Sequence, residues 1–195
     1  MKRLLPIVEG EGDERAVPVL LRRILHAHDR FDVEILRPHR RGDLPKVKAN
    51  FDRFFQAAVL EEAAVICILD FDCEFCVDVV TEEACFGALA EHLRPGHPFA
   101  ACFIVKEFES LFLSDEVATR SALPAIHAAA AFPQAPEAIR DAKGWLSAAQ
   151  PSGSAYKPTA HQTKIVSQLN LDHLRIHSPS YQRLERATLA LTDQA

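Results

Sequence analysis

The feature that most constrains this chain is an alternation of strand-length apolar runs, most of them stopping at a carboxylate, with stretches whose apolar residues recur at helical spacing. Residues 3–9, RLLPIVE, stop abruptly at Glu9-Gly10-Glu11-Gly12-Asp13-Glu14, and AVPVLLRRILHAH follows with helical periodicity. Phe31 to Leu36 alternates apolar and polar residues as a half-exposed strand does. A charged loop, RPHRRGD, then leads into a helical pattern from Leu44 to Glu61. Ala63 to Leu69 reads as a buried strand ending at Asp70. Thr81 is placed to N-cap a helix running to Leu93, with Glu82 and Glu83 in its first turn and RPGHP as its stop. Phe99 to Val105 is the next buried strand and ends at Lys106-Glu107.

Strands separated by helices predict βαβ units, hence an α/β fold with a mostly parallel sheet flanked by helices. From about Glu109 onward the chain reads as helices and loops, including HAAAAF and QPSGSAYKP. We expect one domain over 1–195, with a core over about 1–115 and a helical extension over about 116–195. The 195 residues suffice for a sizeable core, and no window holds the ~20 apolar residues of a membrane helix. The five cysteines, without a secretory leader before them, read as reduced thiols of a cytoplasmic protein.

The carboxyl ends of parallel strands are where such sheets place their sites. Glu9 ends the first strand, Asp70 and Asp72 the third, Glu107 and Glu109 the fourth. Any one of these acids could be an ordinary strand-end residue; three strand ends together carry the signal. Converging carboxylates raise one another's pKa unless a cation neutralises them, and hard oxygen donors of this charge density suit Mg²⁺ or Mn²⁺. The net charge of −5 conceals a segregation: residues 1–60 sum to +3, 61–120 to −10 and 121–195 to +2. The basic loop offers Arg37, Arg40, Arg41, Lys46 and Lys48, with His39, to phosphates, although a solvated surface explains such a cluster equally well.

VEGEGDE, LDFD and EFE resemble the Toprim domain of topoisomerases, bacterial primases and the overcoming-lysogenization-defect nucleases. VEGEGDERAVPVLLRRIL, ILDFDCE, VKEFESLFL, AKGWL, YKPTAHQTK and SPSYQRLERATLAL together resemble an uncharacterised family of small bacterial Toprim-like proteins, over almost the whole chain. The resemblance implies a Toprim/Rossmann-like sheet and places the Toprim glutamate at Glu9 and the metal-binding pair at Asp70 and Asp72. It places the second nuclease-type acid at Asp13, and the late acid at Glu107 or Glu109. Glu74 stands where many Toprim domains have a third aspartate. Lys143 and Lys157 lie in shared segments, and a late lysine assists the phosphate in related nucleases, which makes Lys143 a candidate catalytic residue beside Glu9, Asp70 and Asp72. The resemblance further implies a Mg²⁺- or Mn²⁺-dependent nuclease, with nucleic acid as substrate and an ATPase as partner in phage defence. The alternative is a metal-binding, non-catalytic subunit of such a complex. Homo-oligomerisation stays open. Tyr156 and Tyr181 lie in no recognisable nucleophile domain, so hydrolysis is expected rather than strand passage.

Competing motifs are incomplete. Cys73-x2-Cys76 with Cys85, His92, His97 or Cys102 lacks the second close ligand pair of a structural zinc site. Asp70-Phe-Asp72 has haloacid-dehalogenase spacing, but Glu74 stands where that motif wants Thr or Val. Glu9-Gly10-Glu11-Gly12 lacks the Gly-Lys-Ser/Thr ending of a phosphate loop, and its acids would repel a nucleotide.

Overall fold

In a computed structural model the described residues are 2–72 and 78–194; Glu74 and the Cys73-x2-Cys76 pair lie outside them. The elements are β1 (Lys2–Val8), α1 (Glu11–Ala27), β2 (Val33–Ile35), β3 (His39–Arg40), α2 (Leu44–Ala49), α3 (Phe51–Val59), β4 (Ala64–Phe71), α4 (Val79–Leu93) and β5 (Phe99–Val105). The helices α5 (Ser110–Leu113), α6 (Glu116–Ala122), α7 (Ala142–Ala148), α8 (Pro158–Val166), α9 (Leu171–His177) and α10 (Pro179–Gln194) follow, with a short 3₁₀ turn at Pro136–Ala138. None is long and apolar enough among the described residues to cross a membrane. The expected α/β architecture with helical C-terminal segments is therefore present.

The sheet runs β2-β1-β4-β5, every pairing is parallel, and β3 continues the β2 edge of β1. β1 is joined through α1 to a strand on one side of it and pairs with β4 on the other, so the strand order reverses between β1 and β4. A parallel sheet opens its crevice at that point. Alternation along β4 distributes the core. Ala64, Ile66 and Ile68 join the cluster under α1 and the C-terminal helices, while Val65, Cys67 and Leu69 join the one under α2, α3 and α4. The apolar runs are continuous because both faces are covered. Cys67 and Cys102 sit in these clusters as small hydrophobes, and burial pushes both thiols up.

Several boundaries differ from the sequence reading. Helix α1 begins at Glu11, because Asp13 accepts from the Gly10 amide (2.8 Å) and Glu11, Asp13 and Glu14 suit the positive helix end. The expected glycine loop thus shrinks to Glu9-Gly10. The helix expected over 44–61 divides at Asn50, whose side-chain amide donates to the Lys46 carbonyl (2.9 Å) and so competes with the helical ladder. Asp78, not Thr81, caps α4: its carboxylate accepts from the Thr81 amide (2.9 Å) and hydroxyl (2.7 Å). The charged loop contains β3, since His39 and Arg40 pair with Ile7 and Val8. At the opposite edge Phe103 donates its amide to Glu83 (2.8 Å), and Arg183 donates to the Phe103 carbonyl (2.8 Å). Ser180 accepts from the Val105 amide (3.1 Å), so side chains occupy the hydrogen-bonding groups of edge strand β5.

Helix α8 lies directly on the first turn of α1. A Cβ added at Gly12 would meet the Gln162 side-chain oxygen at 2.0 Å and Pro158 Cβ at 2.8 Å, so only glycine permits this approach. Gly12→Ala should cost ~1–3 kcal/mol, the range for overpacking a tight contact, read as a lowered denaturant midpoint at unchanged slope. Because Gln162 is the residue displaced, the same variant should also loosen the site described next.

Candidate functional site

A cleft of about 270 Å³ opens at the carboxyl ends of β1, β4 and β5, lined by Glu9, Asp43, Leu44, Pro45, Asp70, Asp72, Lys106, Glu107 and Lys143. Beyond Val8 strand β1 has stopped pairing with β4, so the Asp70 amide is free to donate to the Glu9 carboxylate. Asp70 accepts from the Phe108 amide through Oδ1 (2.7 Å) and faces the Lys143 ammonium through Oδ2 (3.3 Å). The turn after β5 buries Phe108 and brings the glutamates flanking it to the same ammonium, Glu107 at 3.2 Å and Glu109 at 3.5 Å. Glu107 also accepts from the Lys143 amide (3.0 Å) and so fixes the start of α7.

Lys143 is therefore held by three carboxylates. Burial opposes its charge, but Asp70, Glu109 and Glu107 outweigh burial and raise its pKa. The acids differ from one another. Asp70 is pushed well above the usual carboxylate range, first by burial, against the pull of Lys143, and further by the charges of Glu9, Glu109 and Asp13. Glu9 is raised for the same first reason, with Asp13 and Asp43 adding repulsion. Glu109 is fully buried and also raised by burial, although Lys143, Gln162 and Tyr156 oppose the shift.

Behind the cleft runs a chain of hydrogen bonds that links the C-terminal helices to α1. The Tyr156 hydroxyl (2.9 Å) and the Gln162 amide (3.0 Å) both donate to Glu109 Oε1, and the same amide donates to Asp13 (3.1 Å). Asp13 thus braces the back of the site and does not line the cleft. Of the two late acids, Glu107 lines the cleft and Glu109 lies beneath it. Burial and the Glu109 charge raise the Tyr156 hydroxyl, which stays a proton donor. Lys106 pairs with Asp72 at 3.0 Å.

The basic residues sit elsewhere. Arg37, Arg40 and Arg41 line a separate cleft of about 480 Å³ with His39, Glu14 and Glu61. Arg37 pairs with Glu14 (2.8 Å) and Arg40 approaches Glu11 (3.9 Å). Arg41 lies over the Phe54 ring, and Lys48 pairs with the buried Glu82 (2.5 Å). Lys46 is exposed on α2. Among the described residues no group of three or more His, Cys, Asp or Glu side chains is gathered closely enough to hold a metal ion as it stands.

The sequence reading did not single out Asp43, Lys106, Gln162, or Tyr156 as a partner of an acid. YKPTAHQTK, which contains Tyr156 and Gln162, was visible only as a shared segment; no local periodicity marks a side chain whose partner is about fifty residues earlier.

Residues 8–187 match the family described as a domain of unknown function (DUF4276). A solved structure, the C-terminal region of the OLD protein of Xanthomonas campestris pv. campestris, is similar at 13% identity and a TM-score of 0.42, over 97% of this chain and 98% of that one. No protein of curated function matches the sequence.

Because the fold raises Asp70 above its unfolded-chain value, the stability that this carboxyl contributes is full below the ordinary Asp range and is lost as pH rises through the folded value. Asp70→Asn keeps an acceptor for the Phe108 amide and removes the titration. The variant should therefore gain on the parent between pH 5 and pH 8, by about 1.4 kcal/mol for each unit of the shift titrated in that window. Metal-free denaturation midpoints at the two pH values check this, and parallel pH profiles would contradict it.

Proposed function

The chain belongs to the DUF4276 family, and we propose that it is a divalent-metal-dependent phosphodiester hydrolase acting on nucleic acid. The observation that carries this reading is the placement of Glu9, Asp70 and Asp72 together in one cleft at the point where the strand order reverses, beside two lysines. The Toprim-like motifs VEGEGDE, LDFD and EFE fall on these strand ends. They support the same reading and are what suggests an ATPase partner in phage defence.

The chemistry of the donors suits a hard cation, and the acids of the cleft would have to draw together to hold one. Glu9, Asp70 and Asp72 offer carboxylate oxygens toward one cleft; burial first, and then neighbouring carboxylates, raise Glu9 and Asp70, and positive charge in the cleft relieves both effects. Those three residues would hold Mg²⁺ or Mn²⁺, with Glu107 adjacent; when bound, such an ion neutralises the scissile phosphate and makes water a better nucleophile. The chain's own groups do the rest. Lys143 holds Asp70 and Glu107 in place, and Glu109, braced by Tyr156 and Gln162, holds Lys143 from behind. Glu9 has a carboxylate raised toward the range of a useful proton acceptor. The second reading, a subunit that binds without cutting, is favoured by one feature: Lys143 pairs with three of the acids and offsets part of the charge that a metal would otherwise balance.

Incubating the protein with single- and double-stranded DNA and RNA, with Mg²⁺, Mn²⁺ or EDTA, tests the reading. Metal-dependent cutting is expected, and Glu9→Gln should lower it by ~10²-fold or more while polynucleotide binding survives. A parent protein that binds Mn²⁺ and polynucleotide but never cuts, with or without an ATPase partner, would establish the second reading instead. Arg37 and Arg40 are exposed, so Arg37→Ala with Arg40→Ala should leave the fold intact and weaken polynucleotide binding about equally across sequences. The slope of log affinity against log salt should fall by roughly 0.7–0.9 for each phosphate that the variant no longer neutralises. A fluorescence-anisotropy salt titration measures this, and an unchanged slope would leave the arginines as solvated surface.

A further inference from the structure

The two lysines of the cleft differ. Lys143 is ringed by Asp70, Glu107 and Glu109, and moving it toward a ligand would leave the fully buried Glu109 charge without its counter-ion, which is costly in an apolar setting. Among the described residues Lys106 pairs with a single carboxylate, Asp72, whose side chain is 42% exposed and regains water when the lysine leaves.

The backbone at Lys106 is unusual as well. Its φ is +67°, in the left-handed region that a residue with a Cβ avoids. Asp29 and Glu62 share that sign, but both lie in the turns that close α1 and α3, where left-handed residues commonly end helices. Lys106 instead ends strand β5 at the cleft. Its amide is held by the Phe71 carbonyl at 3.0 Å, and the conformation aims a long cationic side chain over the end of β4 onto Asp72. Strain of this kind persists where the surroundings enforce it and gathers at functional sites.

We propose that Lys106 is the phosphate-contacting residue of the cleft: the left-handed turn carries its ammonium to the mouth, Asp72 holds it there, and a phosphate of the polynucleotide replaces Asp72 as its partner. This rests on the hydrolase reading above. It assigns the two lysines separate tasks, Lys143 ordering the carboxylates and Lys106 contacting substrate.

The test compares the parent with Lys106→Asn and Lys106→Arg. Asparagine tolerates the left-handed region, so the Asn variant should keep or raise the denaturation midpoint. Its Mn²⁺ affinity by calorimetry should be equal or tighter, since a positive charge leaves Asp72. The KM for polynucleotide cleavage should rise about tenfold, as for removal of one charge-assisted hydrogen bond. The salt slope of binding should fall by roughly 0.7–0.9. Lys106→Arg should restore most of both. A Lys106→Asn protein with the parent's KM and salt slope would overturn the proposal, as would one that loses Mn²⁺ affinity in step with cleavage, the mark of a residue that only supports Asp72. Parent and Asp70→Asn run in the same assay separate the two readings. If the parent cuts and Asp70→Asn does not, failure at Lys106 leaves the hydrolase standing; if the parent cuts nothing, both fall.

Discussion

One half-buried ammonium, that of Lys143, organises this protein. Asp70 at the end of β4 and Glu107 and Glu109 after β5 are brought within reach of one another by a parallel sheet that places strand ends side by side. Three carboxylates in a half-buried site repel one another strongly, and without a cation the fold would have to protonate or separate them. Lys143 supplies the charge from α7, more than thirty residues beyond β5. Its position ties the C-terminal helices to the sheet by electrostatics as well as by the apolar cluster they share.

The rest of that attachment follows from satisfying the same acids. Glu109 is fully buried, so its remaining oxygen needs donors, and Tyr156 and Gln162 provide them from the chain that leads into α8. Gln162 can reach both Glu109 and Asp13 only because α8 lies against the first turn of α1, and that closeness requires glycine at position 12. The helical extension is therefore part of the site's chemistry, and the site in turn helps to hold the extension.

Charge is sorted by depth and by side. Glu9, Asp70, Asp72 and Glu107 face the cleft, Glu109 and Asp13 support it from within, and the arginines of the β3 segment occupy a neighbouring cleft across β1. The short strand β3 produces this arrangement: pairing with Ile7 and Val8 fixes the basic residues along the β1 edge and leaves Asp43, Leu44 and Pro45 to close the acidic cleft.

The sequence by itself determined four of the five strands, their order along the chain and the acids at three of their ends; β3, two residues inside a charged loop, it did not show. Apolar runs and the residues that stop them are local properties, and a parallel sheet sets the ends of β1, β4 and β5 side by side. The basic segment and the helical character of the C-terminal part were legible for the same reason, whereas Lys143 was marked only by the resemblance of AKGWL to the Toprim-like family. The tertiary structure decided which acids face the cleft, since Glu107 and Glu109 are equivalent in EFE until the turn after β5 exposes one and buries the other. It also decided that Tyr156 and Gln162 belong to the site, that Asn50 divides a helix whose apolar spacing is continuous, and that Lys106 adopts a left-handed backbone. Each of these depends on the bend of a particular turn or on a partner distant in sequence, and residue spacing carries neither.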